Sequence, residues 1–293
     1  MGQRLYNAPL LYMIRKAESF GELLSLVDRG DLEAAVRDAE AFARTSVSGP
    51  LDDKIAFMRI PKCATTSVHY SIARAYRSVW AYDGSGIQLV HHGACNRAAD
   101  ARGESTWEMR RAALAYHLSH PDSQYVYGHF EINRQILDAY ADQFNFVTLL
   151  RNPVDRWISH YLYNKHLPRD RYDIDVSMEE FLETERGRGI GQMYTAYLTG
   201  TGALTPDERE TDEIRRLARE NLEEFELVGI VERMDQFREE FEERFGIDIE
   251  VHRRNKSPAP EGAKDVGAEL RAKIREVCAL DVELFEYARD RHP

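Results

Sequence analysis

Ile55-Ala-Phe-Met-Arg-Ile-Pro-Lys-Cys-Ala-Thr-Thr-Ser67 is an apolar run that breaks into Pro-Lys-x-x-x-Thr-Ser. Residues 55–60 are apolar apart from Arg59, which predicts a short buried strand. Pro61 stops the strand. Just beyond, Ser71-Ile-Ala-Arg-Ala-Tyr-Arg77 has helical spacing. A strand, a tight loop and a helix start therefore meet in one stretch. Such a junction turns backbone N–H groups and the positive end of a helix dipole toward one spot, which suits a phosphate. Lys62 adds a mobile cation, and Thr65, Thr66 and Ser67 add hydroxyl donors.

A second element makes the first specific. Asn145-Phe-Val-Thr-Leu-Leu150 is another strand-like apolar run, and it leads into Arg151-Asn-Pro-Val-Asp-Arg-Trp-Ile-Ser-His-Tyr161. Arg151 sits at the strand's end, and Pro153 suits the first turn of a helix. Ser159 lies eight residues after Arg151, about two helical turns. Arg151, binding bidentately, and Ser159 can grip a second phosphate. The first loop does the work of a Walker A loop without its spelling. The G-x-x-x-x-G-K-[ST] order is absent, and Lys62 precedes the hydroxyls by three to five residues.

Together, Pro-Lys-x-x-x-Thr-Ser and Arg-x-Pro-x-x-Arg-x-x-Ser resemble the paired signature of sulfotransferases that use 3′-phosphoadenosine-5′-phosphosulfate (PAPS). Ile60-Pro-Lys-Cys-Ala-Thr-Thr-Ser67 is similar to the carbohydrate branch, that of heparan sulfate 2-O-sulfotransferase. The resemblance runs from about Lys54 to the C-terminus. It includes Phe225-Glu-Leu-Val-Gly-Ile-Val-Glu-Arg233, like the family's late strand and turn, and Leu280-Asp-Val-Glu-Leu-Phe-Glu-Tyr-Ala288, like its closing helix.

The resemblance implies a P-loop-like α/β fold, sulfuryl transfer from PAPS to a carbohydrate or glycoconjugate hydroxyl, and 3′,5′-adenosine diphosphate as product. Lys62 would meet the bridging oxygen. The N–H groups of Cys63 and Ala64 and the hydroxyls of Thr65, Thr66 and Ser67 would hold the 5′-phosphosulfate. Arg151 and Ser159 would hold the 3′-phosphate, and Asn255, Lys256 and Ser257 match a loop that closes over the nucleotide. No metal is required, since Lys62 and N–H donors supply the positive field. Cys63 is not read as a nucleophile.

The reaction also needs a base for the acceptor proton. His129, in Gln124-Tyr-Val-Tyr-Gly-His-Phe130, stands at a strand end where Gly128 allows close approach. A neutral imidazole there can take a proton, and the resembled branch carries a histidine in the same Gly-His context. The alternative for His129 is a buried structural histidine. His91, His92, His117, His120 and His160 are weaker candidates for the base. Tyr161, Tyr163, Lys165, His166, Arg169, Arg171, Tyr194, Tyr197 and Leu198 are candidates for the acceptor surface, with helix packing as the alternative.

The whole chain bounds these readings. Strand-like runs at 55–60, 123–127, 145–150 and 226–231 alternate with helical ones, which predicts a parallel sheet flanked by helices. Lys62, His129 and Arg151 each follow such a strand, at the ligand-binding end of a parallel sheet. Residues 1–50 have helical apolar stripes and read as an N-terminal helical appendage to a domain at 51–293. A net charge of −11 has the wrong sign for a nucleic-acid binder. Three cysteines, far apart, fit neither a zinc site nor a disulfide framework. No apolar run spans a membrane and no leader is evident, which predicts a cytoplasmic enzyme. The sequence leaves the oligomeric state open. A P-loop small-molecule kinase or a non-catalytic nucleotide-binding protein is the competing function. The kinase would need a Walker A Gly-Lys-Ser/Thr and a magnesium-binding Asp, and neither is found.

Overall fold

A computed structural model describes residues 53–76, 86–166, 173–249 and 266–291. The expected appendage at 1–50 lies outside the described residues, as do Asn255, Lys256, Ser257, Arg169 and Arg171.

Five strands, β1 (Ile55–Met58), β2 (Ile87–Val90), β3 (Tyr125–Gly128), β4 (Asn145–Leu150) and β5 (Leu227–Ile230), form one sheet in the order β2-β3-β1-β4-β5. Every neighbouring pair is parallel. The described helices are α1 (Thr65–Ala75), α2 (His92–Arg102), α3 (Thr106–Ser119), α4 (Arg134–Tyr140), α5 (Pro153–His166), α6 (Met178–Glu183), α7 (Glu185–Gly191), α8 (Met193–Thr199), α9 (Pro206–Arg209), α10 (Asp212–Glu223), α11 (Met234–Phe245), α12 (Ala268–Val277) and α13 (Ala279–Arg291). The chain is thus an α/β protein with a parallel sheet flanked by helices.

β1 lies at the centre and is apolar throughout, with no exposed surface on any of its residues. Such strands are buried on both faces, so they read as continuous apolar runs. β2 escapes the sequence reading. It sits at the sheet edge, is half-buried over three of its residues, and carries Gln88. β4 has the expected bounds, and β1, β3 and β5 differ from expectation by a residue or two at their ends. Pairing ends where the backbone turns toward the loops, not where apolar residues end.

From β1 the chain passes to β2 at one edge and returns to β3. It then crosses to β4 on the far side of β1. That reversal places the loop after β1 at the switch point of the sheet, where ligands of such folds bind.

The helices divide the apolar residues into two clusters. The larger surrounds the sheet. The smaller packs Trp157, Ile158 and Leu162 of α5 against Phe181, Ile190, Ile274 and Val282. α5 therefore buries its outer side and leaves a half-buried stripe of Asp155, Ser159 and Tyr163 at four-residue spacing.

Gly128 ends β3 with φ at +154°, a conformation open only to glycine, and a Cβ there would stand 2.5 Å from the Val90 carbonyl oxygen. Gly128→Ala is expected to lower stability by about 1–3 kcal/mol. Chemical denaturation checks this; an unchanged midpoint would mean that β2 and β3 are spaced more widely than described.

Candidate active site

The carboxyl edge of the sheet delivers the candidate residues in spatial order. His92 follows β2, His129 follows β3, Arg59 and Lys62 follow β1, and Arg151 follows β4. Neighbouring strands lie about 4.8 Å apart, so these residues share one edge.

The loop from Pro61 to Ala64 owes its shape to two non-glycine residues with positive φ, Lys62 at 70° and Ala64 at 54°. They flank Cys63, and the alternation of handedness turns successive N–H groups to one side, forming an anion-binding nest. Ala64 is the N-cap of α1 and offers no side-chain hydrogen bond. Of the first N–H groups of α1, that of Ser67 donates to the Ala64 carbonyl at 3.1 Å, while those of Thr65 and Thr66 come before the first intrahelical bond. Two such conformations cost about 1–3 kcal/mol each and persist only where surroundings over-determine them.

The surroundings are identifiable. Cys63 is fully buried, and its Sγ lies 3.4 Å from the Tyr194 hydroxyl. That hydroxyl accepts from the Arg151 N–H at 2.9 Å and donates to the Arg151 carbonyl at 2.6 Å. Arg151 Nη1 donates in turn to the Lys62 carbonyl at 3.3 Å. One tyrosine thus joins the two segments that the sequence singled out.

Asp281 holds Tyr194. Its fully buried carboxylate accepts from the Tyr194 and Thr195 N–H groups at 2.9 and 3.0 Å, and pairs with Arg156 at 3.6 Å. Burial pushes Asp281 up to about 6 against these partners. Arg156 is itself fully buried and serves this ion pair. Asn152 caps α5 by accepting from the Val154 and Asp155 N–H groups, which sets the helix bearing Ser159.

Lys62 lays its ammonium 3.7 Å from the Tyr163 ring centroid, one turn beyond Ser159. Burial, then Arg151, lowers Lys62 to about 8. Thr65 and Ser67 are nearly buried, and Thr66 accepts from Arg59 Nη2 at 2.9 Å. Burial raises the Cys63 thiol to about 11, so it is an unreactive loop residue.

His129 is bolted to β1. The Arg59 N–H donates to the Gly128 carbonyl at 2.9 Å, and His129 Nδ1 lies 2.6 Å from the Arg59 carbonyl. A carbonyl only accepts, so Nδ1 carries the proton and Nε2 keeps a free lone pair. Burial, then Arg59, pushes the imidazole down to about 3. The next residues are anchored as well. Glu131 pairs with Arg111 and accepts from Gly202 N–H at 3.0 Å, and the Ile132 N–H donates to the Tyr197 carbonyl at 2.8 Å.

The other histidines separate. His91 Nδ1 accepts from Ala94 N–H and caps α2, while His120 precedes β3, away from this edge. His117 reaches the Leu89 backbone. His160 is pushed down to about 3 by burial, then Arg156 and Lys62, and its Nδ1 has no partner.

Several acceptor candidates are core residues. Tyr161, Tyr194, Tyr197 and Leu198 are buried. Lys165 is spent on the Asp175 and Val176 carbonyls. Sequence reasoning gave Arg59 no role, yet its guanidinium touches the loop and its Nε is buried without a partner. A lone charge in an apolar strand beside a phosphate loop was the available signal.

A family model described as the sulfotransferase family matches residues 51–288. The chain belongs to the sulfotransferase family. No curated protein matches it significantly. The family implies a PAPS-type donor and a hydroxyl acceptor, and a nest flanked by Lys62, Arg59 and Arg151 fits a multiply charged phosphosulfate. Among the described residues of this sulfotransferase, no group of His, Cys, Asp and Glu is arranged to hold a metal ion, and no helix is long and apolar enough to cross a membrane.

Two outcomes follow from the loop. Ala64→Gly removes the left-handed strain and is expected to hold or raise stability by less than about 1 kcal/mol, whereas Ala64→Val should lose about 1–3 kcal/mol; denaturation midpoints decide. Lys62 is charged below about 8 and neutral above it. Affinity for 3′,5′-adenosine diphosphate should therefore fall by up to tenfold per pH unit above that point, with proton uptake on binding. Calorimetry in two buffers of different ionisation enthalpy measures both, and Lys62→Arg should flatten the pH dependence.

Proposed function

We propose that this sulfotransferase moves the sulfuryl group of PAPS onto a hydroxyl of a carbohydrate or glycoconjugate, with His129 as the general base. The observation that carries this reading is the hydrogen bond from His129 Nδ1–H to the Arg59 carbonyl. It fixes the basic nitrogen on the strand that leads directly into the phosphate loop.

The donor supplies a sulfuryl group already activated by a phosphate leaving group. The residues divide the remaining work. Arg151 and Ser159 hold the 3′-phosphate. The N–H groups of Cys63 and Ala64, with the hydroxyls of Thr65, Thr66 and Ser67, hold the 5′-phosphosulfate. Lys62 neutralises charge on the bridging oxygen as its bond to sulfur breaks and the electron pair passes to phosphate. His129 Nε2 takes the acceptor proton as the new O–S bond forms. Asn255, Lys256 and Ser257 are proposed to close over the nucleotide.

Burial keeps the His129 imidazole unprotonated before the acceptor arrives. A base held neutral at working pH stays ready, and it gains its proton only as the attacking hydroxyl becomes acidic in the transition state.

The test is calorimetric binding of 3′,5′-adenosine diphosphate against ADP, followed by transfer assays on a panel of unsulfated glycans. Binding that requires the 3′-phosphate, weakened about 10- to 100-fold in Arg151→Ala, supports the nucleotide assignment; equal affinities would sink it. His129→Ala should keep nucleotide affinity and lose about 10²–10⁴ in kcat. Transfer at the undiminished rate in that variant would remove the base assignment.

A further inference from the structure

The ammonium of Lys62 is a cation without a counter-ion among the described residues. Of the groups that bear on its charge, Arg151 opposes it, and Cys63, whose thiol burial keeps protonated, is no anion. His160, on α5, is kept unprotonated by burial, then by Arg156 and Lys62. What meets the ammonium is a ring. Lys62 Nζ stands 3.7 Å from the centroid of Tyr163, the closest approach of a cation to a ring among the described residues.

A ring face is a partner that suits a working cation. It favours the ammonium through the ring quadrupole and leaves the net charge of the site unchanged. A carboxylate in its place would hold Lys62 more strongly, and it would repel the phosphosulfate that Lys62 is to meet. An ammonium has three donors, and the ring occupies only the side toward α5. The fold fixes both partners. Arg151 Nη1 donates to the Lys62 carbonyl at 3.3 Å, which holds the loop backbone. Tyr163 stands on a helix whose other side is anchored. The Trp157 indole N–H donates to the Gly187 carbonyl at 2.8 Å, and the Tyr161 hydroxyl donates to the Val176 carbonyl at 2.8 Å. The helix that presents Ser159 thus presents the ring one turn further on.

We propose that Tyr163 is the positioning residue for Lys62, its ring face holding the ammonium as a cation beside the phosphate loop with the remaining donors free for the bridging oxygen. The proposal rests on the reading of Lys62 as the group that meets that oxygen. Tyr163 acts through Lys62 and touches no reacting atom. The face given to Lys62 is not open to a sugar, so this tyrosine serves the donor and not the acceptor.

The experiment is calorimetric binding of 3′,5′-adenosine diphosphate to the full chain from about pH 6 to 9.5, across the range where Lys62 titrates. The oxygen that leaves sulfur stays on the 5′-phosphate, so this nucleotide reports the contact of Lys62. Wild type should lose affinity above about pH 8, as Lys62 discharges. Tyr163→Leu keeps apolar bulk without a π face. Removing a partner of the charged form lets the proton go at lower pH. The midpoint should therefore move down by about half to one pH unit, and affinity at pH 8 should fall about 3- to 10-fold. Tyr163→Phe should match wild type. Phenylalanine analogues of rising fluorine content at 163 drain the ring face of negative charge at nearly constant shape, and the midpoint should descend in step. A ring that only fills space would show no such trend. If wild type prefers 3′,5′-adenosine diphosphate to ADP and weakens near pH 8, while Tyr163→Leu and the fluorinated series keep its midpoint, the role of Tyr163 is overturned and the nucleotide assignment stands. If wild type makes no such distinction, or shows no fall near pH 8, the reading of Lys62 fails and takes this one with it.

Discussion

The hydroxyl of Tyr194 is the contact on which the site depends. It lies against the Cys63 thiol of one loop while both accepting from and donating to the backbone of Arg151 in the other. A buried hydroxyl must find partners, and here those partners are the two segments proposed to meet phosphates. Behind it, Asp281 takes the Tyr194 and Thr195 N–H groups and faces Arg156. This buried charge has N–H groups, a hydroxyl and a guanidinium to answer it, which is the condition under which such groups are retained. The left-handed residues of the loop are affordable because this column permits no easier conformation.

Electrostatics follows from the same enclosure. The edge gathers Arg59, Lys62 and Arg151, while the carboxylate of Glu232, after β5, accepts from the Asn152 N–H at 2.9 Å. Burial first, and then the neighbouring positive groups, make a further proton less welcome, so Lys62, His129 and His160 are all held below their ordinary values. The protein carries a net charge of −11, so the cationic edge is a local feature against an acidic body. Such focusing draws an anion to one place without making the whole surface sticky toward polyanions.

The parts of the fold that could be read from sequence are those where burial is symmetrical. β1, β4 and β5 are covered on both faces, and their apolar runs say so. β2 has one neighbour, mixed exposure and a glutamine, and its pattern resembles a loop. The strand–loop–helix junctions after β1 and β4 were visible because local spacing defines them. The tyrosines were not so readable. Tyr161, Tyr194 and Tyr197 could equally have lined an acceptor groove, and only packing decides which face of a helix is covered. The contact between Lys62 and Tyr163 and the Nδ1 bond of His129 join segments distant in sequence. No periodicity encodes such pairings.

All three cysteines are free and buried, and each stands on a different loop or helix. Cys63 lies in the loop after β1 and Cys95 in α2, both in the cluster around the sheet, and Cys278 lies between α12 and α13 in the outer cluster. A thiol reagent can reach none of them without local opening. The chain therefore carries three built-in chemical clocks. The rate at which each sulfur is alkylated records how often its own segment breathes, and a nucleotide seated on the loop would slow the first clock while leaving the third to run.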